Sequence, residues 1–235
     1  MRVYRSKIIK KETIAAGTTM IEIEKPNGFD FKAGQFIKLS LPDLENNPKN
    51  TNWRWLSIAS APYEANLAFV YRESDSSFKS NLLPDAKVTI SRPLGTLHLP
   101  TQDFQPIVFL AGGVGIAPSR SLVLQAEHEN RLPVTWLFYS NRQIEDAAFL
   151  DEFKKIKNPK FNFIPVMSRL EPTNKNWTGE TGHISIEMLK RYFTDLTKQI
   201  YLVIGSPAFT DALVTMLTDA GIASQNIRLE KFIGL

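Results

Sequence analysis

Ile107-Val108-Phe109-Leu110-Ala111-Gly112-Gly113-Val114-Gly115-Ile116-Ala117-Pro118 is a short apolar run that breaks on glycines and resumes at a proline. Consecutive apolar residues without polar alternation suit a strand buried on both faces. Pro118 suits the first turn of a helix, where a missing N–H costs little. The stretch predicts strand, glycine turn, helix. Glycines at such a turn let an anion approach the backbone, and the free amides of the helix start face it. The spacing departs from G-x-G-x-x-G, because Pro118 stands where the third glycine belongs. A plain tight turn at a strand end is the alternative reading.

The pattern continues downstream. A helix over 118–130 is followed by a strand at 134–140, a helix at 146–156 and a strand at 161–168. A helix at 186–193, a strand at 201–205, an amphipathic helix at 208–220 and a strand at 227–232 complete it. Gly221 suits a helix C-cap. Such alternation implies a parallel sheet covered on both faces.

Upstream the texture changes. Short strand-like runs fall at 4–9, 18–23, 35–39, 56–59, 67–71, 87–91 and 96–99, with a short helix at 77–83. Pro26-Asn27-Gly28, Pro42-Asp43 and Pro93-Leu94-Gly95 separate them. Short strands at this spacing read as an antiparallel barrel or sandwich. The expected fold is an N-terminal antiparallel β-barrel (1–102) followed by an α/β parallel-sheet nucleotide-binding domain (103–235). The boundary is expected within Pro100–Pro106.

Composition narrows the function classes. With 235 residues, 43% hydrophobic and 22% charged, the chain suits a soluble globular protein of two small domains or one large one. It has no cysteine, which excludes disulfides, thiolate zinc sites and thiolate-held iron–sulfur clusters. No run reaches the roughly 18 apolar residues of a membrane span, and the N-terminus has no signal-peptide core. A cytoplasmic monomer is expected. The net charge of +4 is scattered, apart from Lys154, Lys155, Lys157 and Lys160. That cluster reads as a solvated helix end or as a face for an acidic partner. Nucleic acid would require a denser basic stripe with interleaved aromatics.

Arg54-Trp55-Leu56-Ser57-Ile58-Ala59-Ser60-Ala61-Pro62 is the informative stretch of the first half. Apolar residues there can hold a flat ring, and Arg54 a phosphate. In the second half, an acid binding an adenosine ribose should end the second strand. That strand instead ends Ser140-Asn141-Arg142, and the third ends Ser168-Arg169. Hydroxyls and arginines suit a 2′-phosphate better than a ribose diol, and ordinary surface arginines are the alternative. His98 and His128 lack partners at metal-ligand spacing, so no metal site is expected. There is no G-x-S-x-G elbow for a serine hydrolase.

Read together, these segments resemble the ferredoxin–NADP reductase family of flavoenzymes over nearly the whole chain. Gly34-Gln35-Phe36 is similar to its G-Q-F strand. Arg54-Trp55-Leu56-Ser57 resembles R-x-Y-S, Gly112 to Pro118 resembles G-G-x-G-I-x-P, and Arg92 to Leu97 loosely resembles G-P-x-G-x-F. Phe138 to Arg142, Phe149 to Glu152, Gly182-His183-Ile184, Gly205-Ser206-Pro207 and Glu230 to Leu235 follow in the family's order.

The resemblance implies FAD and NAD(P)H as cofactors and residue roles to match; the hydroxyls and arginines at the two strand ends favour NADPH. Arg54 would bind the FAD pyrophosphate together with the backbone of Ser76, Ser77, Phe78 and Lys79. Trp55, Leu56 and Tyr71 would also line the flavin site, and Ser57 would hydrogen-bond near flavin N5. Gly112, Gly113, Gly115, Ile116, Pro118, Gly205, Ser206 and Pro207 would frame the nicotinamide nucleotide. Ser140, Arg142, Ser168 and Arg169 would take its 2′-phosphate, with His183 as a further phosphate contact. Glu230 and Phe232 would lie at the flavin–nicotinamide junction, with Ser57 and Glu230 the catalytic pair. Leu56 replaces the family's tyrosine, and Ile204 and Ser206 replace the cysteine and first proline of C-G-P-P.

The implied reaction is hydride transfer from NAD(P)H to flavin N5, then electron delivery to a separate carrier such as an acidic ferredoxin or flavodoxin. Reduction of free flavin, ferric complexes or quinones is the alternative, as is a nucleotide-binding subunit without catalysis.

Overall fold

A computed structural model describes residues 3–45, 51–100, 105–170 and 177–232. The expected boundary falls partly on 101–104, and the terminal 233–235 of the resemblance lie outside the described residues as well.

The chain forms two compact units. One comprises Met1–His98 with Ala117–Gln125, the other Leu99–Ile116 with Ala126–Leu235. In the first, β1 (Val3–Ala15), β2 (Thr18–Glu24), β3 (Phe36–Ser40), β4 (Trp53–Ser57), β5 (Asn66–Arg72) and β6 (Lys87–Ser91) form a sheet ordered β4-β3-β6-β1-β2-β5. Neighbours pair antiparallel. An isolated bridge between Ile58 and Phe69 joins the two ends and closes the barrel. Alternation turns Ile21, Ile23, Ile37, Leu39, Leu67, Phe69, Val88 and Ile90 inward, and all are buried. Phe78 and Leu82, from the segment around the short helix α1 (Ser77–Ser80), join that core.

Three expectations shift here. The fourth strand runs 53–57 rather than 56–59. The segment 96–99 forms no strand: Leu97 and Leu99 are buried and Thr96 and His98 exposed, but that extended chain has no ladder partner. β1 is longer than expected, because its charged half pairs with β2 through Lys10↔Glu22 and Lys11↔Ile21.

In the second unit, β7 (Ile107–Gly112), β8 (Thr135–Asn141), β9 (Phe161–Met167), β10 (Glu180–Thr181), β11 (Ile200–Gly205) and β12 (Ile227–Lys231) are all parallel, ordered β10-β9-β8-β7-β11-β12. The helices are α2 (Ile116–His128), α3 (Leu150–Lys155), α4 (Ile186–Lys190) and α5 (Pro207–Asp219). α3 and α4 are shorter than expected, and β10 is a two-residue strand without a sequence pattern. Gly221 follows α5 at φ +84°, where its amide donates to the Thr218 carbonyl at 2.9 Å. The winding reverses between β7 and β11. In open parallel sheets, ligands bind at such a reversal, outside the carboxyl ends of the strands.

Candidate functional site

The reversal point is built from glycines with different reasons to be glycine. β7 ends in Gly112, a 3-10 turn covers Gly113–Gly115, and α2 starts at Ile116 with Pro118 in its first turn. A Cβ on Gly115 would lie 2.5 Å from the Ile204 carbonyl oxygen, so the loop after β7 sits tightly against β11. Cβ atoms on Gly112 and Gly205 would lie 3.1 and 2.8 Å from the Phe209 ring. Packing explains those three positions. Gly113 differs: it sits at φ +53° and a Cβ there would meet nothing within 4 Å. It is the glycine whose bare backbone faces open space.

α5 begins beside it with Ser206 as N-cap and Pro207 in its first turn, so its free amides open at the same sheet edge. β12 brings Glu230 into register with Ile204, and the Phe232 amide donates to the Gly205 carbonyl at 2.9 Å. Glu230 and Phe232 therefore reach the reversal point.

One strand further out, Ser140, Asn141 and Arg142 end β8, and Ser168 and Arg169 follow β9. The Ser168 and Arg169 amides donate to the Asn141 and Arg142 carbonyls, each at 2.9 Å, which sets the two exposed arginines side by side. The Asn141 Nδ2 is buried with no hydrogen-bond partner among the described residues. A buried donor left open beside two arginines fits a phosphorylated nucleotide. His183 is exposed. A groove of about 290 Å³ lies at Phe153, Phe161, Phe163 and Pro165; its stacked phenylalanine rings make it a packing feature.

In the barrel unit, Arg54 reaches from β4 toward α1. Its Nη2 donates to Ser76 Oγ at 3.2 Å, and its guanidinium stands 5.1 Å over the Phe78 ring. Its Nη1 donates to the Trp53 carbonyl at 2.7 Å and to Thr51. Lys79 Nζ donates to Ser74 Oγ at 3.1 Å. Arg54, Ser76, Phe78 and Lys79 thus meet in one corner, with Ser77 at the start of the same helix. A corner with two cations and several hydroxyls fits a diphosphate.

Leu56 and the tryptophans go different ways. Residues 54 and 56 share one face of β4, while 53, 55 and 57 share the other. Leu56 is 8% exposed and packs in the barrel core. Trp55 is 46% exposed and meets Phe36 and Trp53 edge-on. Burial of a leucine is worth ~2 kcal/mol, and an aromatic stack ~1 kcal/mol. Burial wins, so Leu56 stays in the core. Tyr71 also lies in the core; burial, aided by Glu73, pushes its phenol up to about 12. Ser57 ends β4 opposite Phe36.

Sequence reasoning missed the bond between Asn141 and Ser168, the role of Phe209 and the Lys79 ammonium. Only Lys79 left a signal, as a cation inside a serine-rich turn. Among the described residues no group of histidines and carboxylates could hold a metal, and no helix is long and apolar enough to cross a membrane.

A closed antiparallel barrel with an anion-ready corner, and a doubly wound sheet with a glycine turn at its reversal, define a two-unit nucleotide-binding protein. Residues 109–215 match the family model described as the oxidoreductase NAD-binding domain. The chain is 34% identical over 168 residues to one component of the Na(+)-translocating NADH-quinone reductase of Klebsiella pneumoniae, covering 68% of this chain and 40% of that one. It is 28% identical over 217 residues to the anthranilate 1,2-dioxygenase electron transfer component of Acinetobacter baylyi, covering 87% and 59%. The chain thus spans about half the length of these relatives. Its fold is similar to a ferredoxin NADP+ reductase from Neisseria gonorrhoeae solved with FAD and NADP, with TM-score 0.83, 24% identity and 99% and 100% of the two chains covered. Residues 109–215 thus carry an oxidoreductase NAD-binding domain, and the fold of the chain is similar to that of ferredoxin–NADP reductases.

Proposed function

We propose that this chain is an FAD-dependent NAD(P)H oxidoreductase that passes electrons to a separate carrier protein such as a ferredoxin or flavodoxin. The observation that supports the reading is the presence in one chain of two candidate nucleotide sites: the Arg54–Lys79 corner and the glycine turn at the sheet reversal. Bound flavin would accept a hydride from NAD(P)H and release electrons onward.

The residues do the holding. Arg54 and Ser76 bind the FAD diphosphate, and the Ser57 hydroxyl holds a hydrogen bond near flavin N5. Gly113 admits the nicotinamide nucleotide, and α5 offers it free amides. Arg142 and Arg169 hold a 2′-phosphate, which makes NADPH the preferred donor. Glu230 and Phe232 stand at the nicotinamide end. Residues 1–102 serve the flavin and 103–235 the nicotinamide nucleotide. With no cysteine, these 235 residues hold no thiolate-ligated cluster of their own. A net charge of +4 suits an acidic carrier. The protein acts as a cytoplasmic monomer.

The relatives named as components of NADH-quinone reductases favour a second reading, in which a quinone or another small acceptor takes the electrons. The test is an absorbance spectrum after FAD loading, then anaerobic titration with NADPH and NADH. A flavin band bleached by NADPH is expected. Absence of any flavin band after soaking overturns the reading. Oxidation rates with ferredoxin or flavodoxin against quinone then separate the two acceptors.

A further inference from the structure

Lys79 lies in α1 with 7% of its surface exposed. Lysines are almost never buried this deeply unless paired. Its only hydrogen-bond partner among the described residues is the neutral Ser74 hydroxyl. Burial first, and the Arg54 charge second, pull its ammonium below the ordinary lysine range. Among the described residues, Arg54 in turn bonds only to carbonyls and hydroxyls of Thr51, Trp53 and Ser76. The nearest acids in sequence, Glu73 and Asp75, are exposed, and Glu73 accepts from Thr19 at 2.6 Å. Two like charges thus share a corner with no countercharge among the described residues. A buried unpaired cation costs free energy, so a site that keeps one is built to receive an anion.

A second observation comes from the same strand. Leu56 is packed in the barrel core, and Trp53 and Trp55 stand on the opposite face of β4 from Arg54. Leu56, buried in that core, is not set to stack on a ring held beside Arg54.

We infer that the Lys79 side chain is a second cationic ligand of the diphosphate, and that FAD is gripped chiefly by its ADP half rather than by its isoalloxazine. The inference rests on the flavin reading above. It adds a charge contact from the Lys79 ammonium to the backbone contacts of its helix. It also makes the site a discriminator: a dinucleotide is retained, while FMN and riboflavin, lacking the diphosphate, are not.

The test uses the whole apoprotein. FAD binding is followed by flavin fluorescence, and ADP is measured by its displacement of FAD, so that ADP held elsewhere does not count. For the wild type, ADP should bind within about tenfold of FAD, and riboflavin at least a hundredfold more weakly. Lys79→Met should weaken FAD and ADP together by tenfold or more. Its apoprotein should melt at the wild-type temperature or above, because the change removes an unpaired buried charge. Lys79→Gln serves as a second variant with the same expectation. Unchanged FAD and ADP affinity in both variants overturns the inference while leaving the flavin reading intact. So does a lowered melting temperature with FAD, ADP and riboflavin all weakened alike, which marks a structural lysine. Wild-type protein that binds neither FAD nor ADP overturns the flavin reading, and the inference with it.

Discussion

Arg120 forks onto Glu64. Its Nη1 meets Oε2 at 2.8 Å and its Nη2 meets Oε1 at 3.1 Å, and Nη1 also donates to the Ala59 carbonyl at 2.9 Å. The Arg120 side chain is only 12% exposed. Beside it, the Ser121 hydroxyl donates to the Ser60 carbonyl at 2.7 Å. Breaking a largely buried bidentate pair leaves an uncompensated charge. Arg120→Ala should therefore lower unfolding free energy by about 3 kcal/mol, and Arg120→Lys, which loses the fork, by less. Chemical denaturation of the three proteins checks the order.

The glycines at the sheet reversal should divide into two kinds. Gly205→Ala drives a Cβ to 2.8 Å from Phe209 and should cost about 2 kcal/mol of stability through overpacking. Gly113→Ala meets open space but holds φ +53°, at a cost of about 1 kcal/mol. Its larger effect should be a raised KM for NADPH, since the added methyl group occupies the approach to the backbone. Melting curves and steady-state kinetics on both variants separate the two causes.

Leu56→Tyr should not restore a flavin stack. The side chain points into a filled core, and the extra volume should cost about 2 kcal/mol by overpacking. The expected result is a lower melting temperature with no gain in FAD affinity. Tighter FAD binding would show that residue 56 can turn outward.

If Arg142 and Arg169 hold the 2′-phosphate as proposed, Arg142→Ala and Arg169→Ala should each raise the KM for NADPH about tenfold while changing that for NADH little, because a charge-assisted contact would be lost. Equal effects on both coenzymes would assign the two arginines to ordinary surface.

Alkaline pH should unfold the protein through its tyrosines. Burial raises Tyr71 to about 12, and burial with the hydrogen bond to Glu180 raises Tyr192 to about 12. The fold favours the neutral phenol, so the unfolded chain loses its protons first. Their contribution is intact below about pH 10 and is lost as pH climbs toward 12. Phenylalanine at either position should shift the alkaline transition upward, as followed by circular dichroism against pH.

The apolar run at 107–111 announced its strand because burial on both faces leaves no room for polar alternation. β10 could not be read, since two residues carry no period. The charged half of β1 was hidden for a different reason: Lys10, Lys11 and Glu12 show no apolar alternation, and only pairing with β2 makes them a strand. Conversely, 96–99 alternates as a strand should but lacks a neighbour. In the sites, residue types near the glycine turn and Arg54 were legible. The side on which Leu56 faces depended on register. The Arg120–Glu64 fork joins residues 56 positions apart, and no local pattern encodes such a pair.

The assignment of Ala117–Gln125 to the barrel unit also bears on how the polypeptide is made. A ribosome releasing residues in order frees all six barrel strands well before it frees Arg120, Ser121 and Gln125. Until then Glu64 has the Ala61 amide but no guanidinium, and the Ser60 carbonyl lacks the Ser121 hydroxyl. The barrel half therefore matures only after synthesis has passed the glycine turn, and a chain arrested at residue 102 would emerge as an unfinished folding intermediate, open to proteolysis, rather than as a free-standing module.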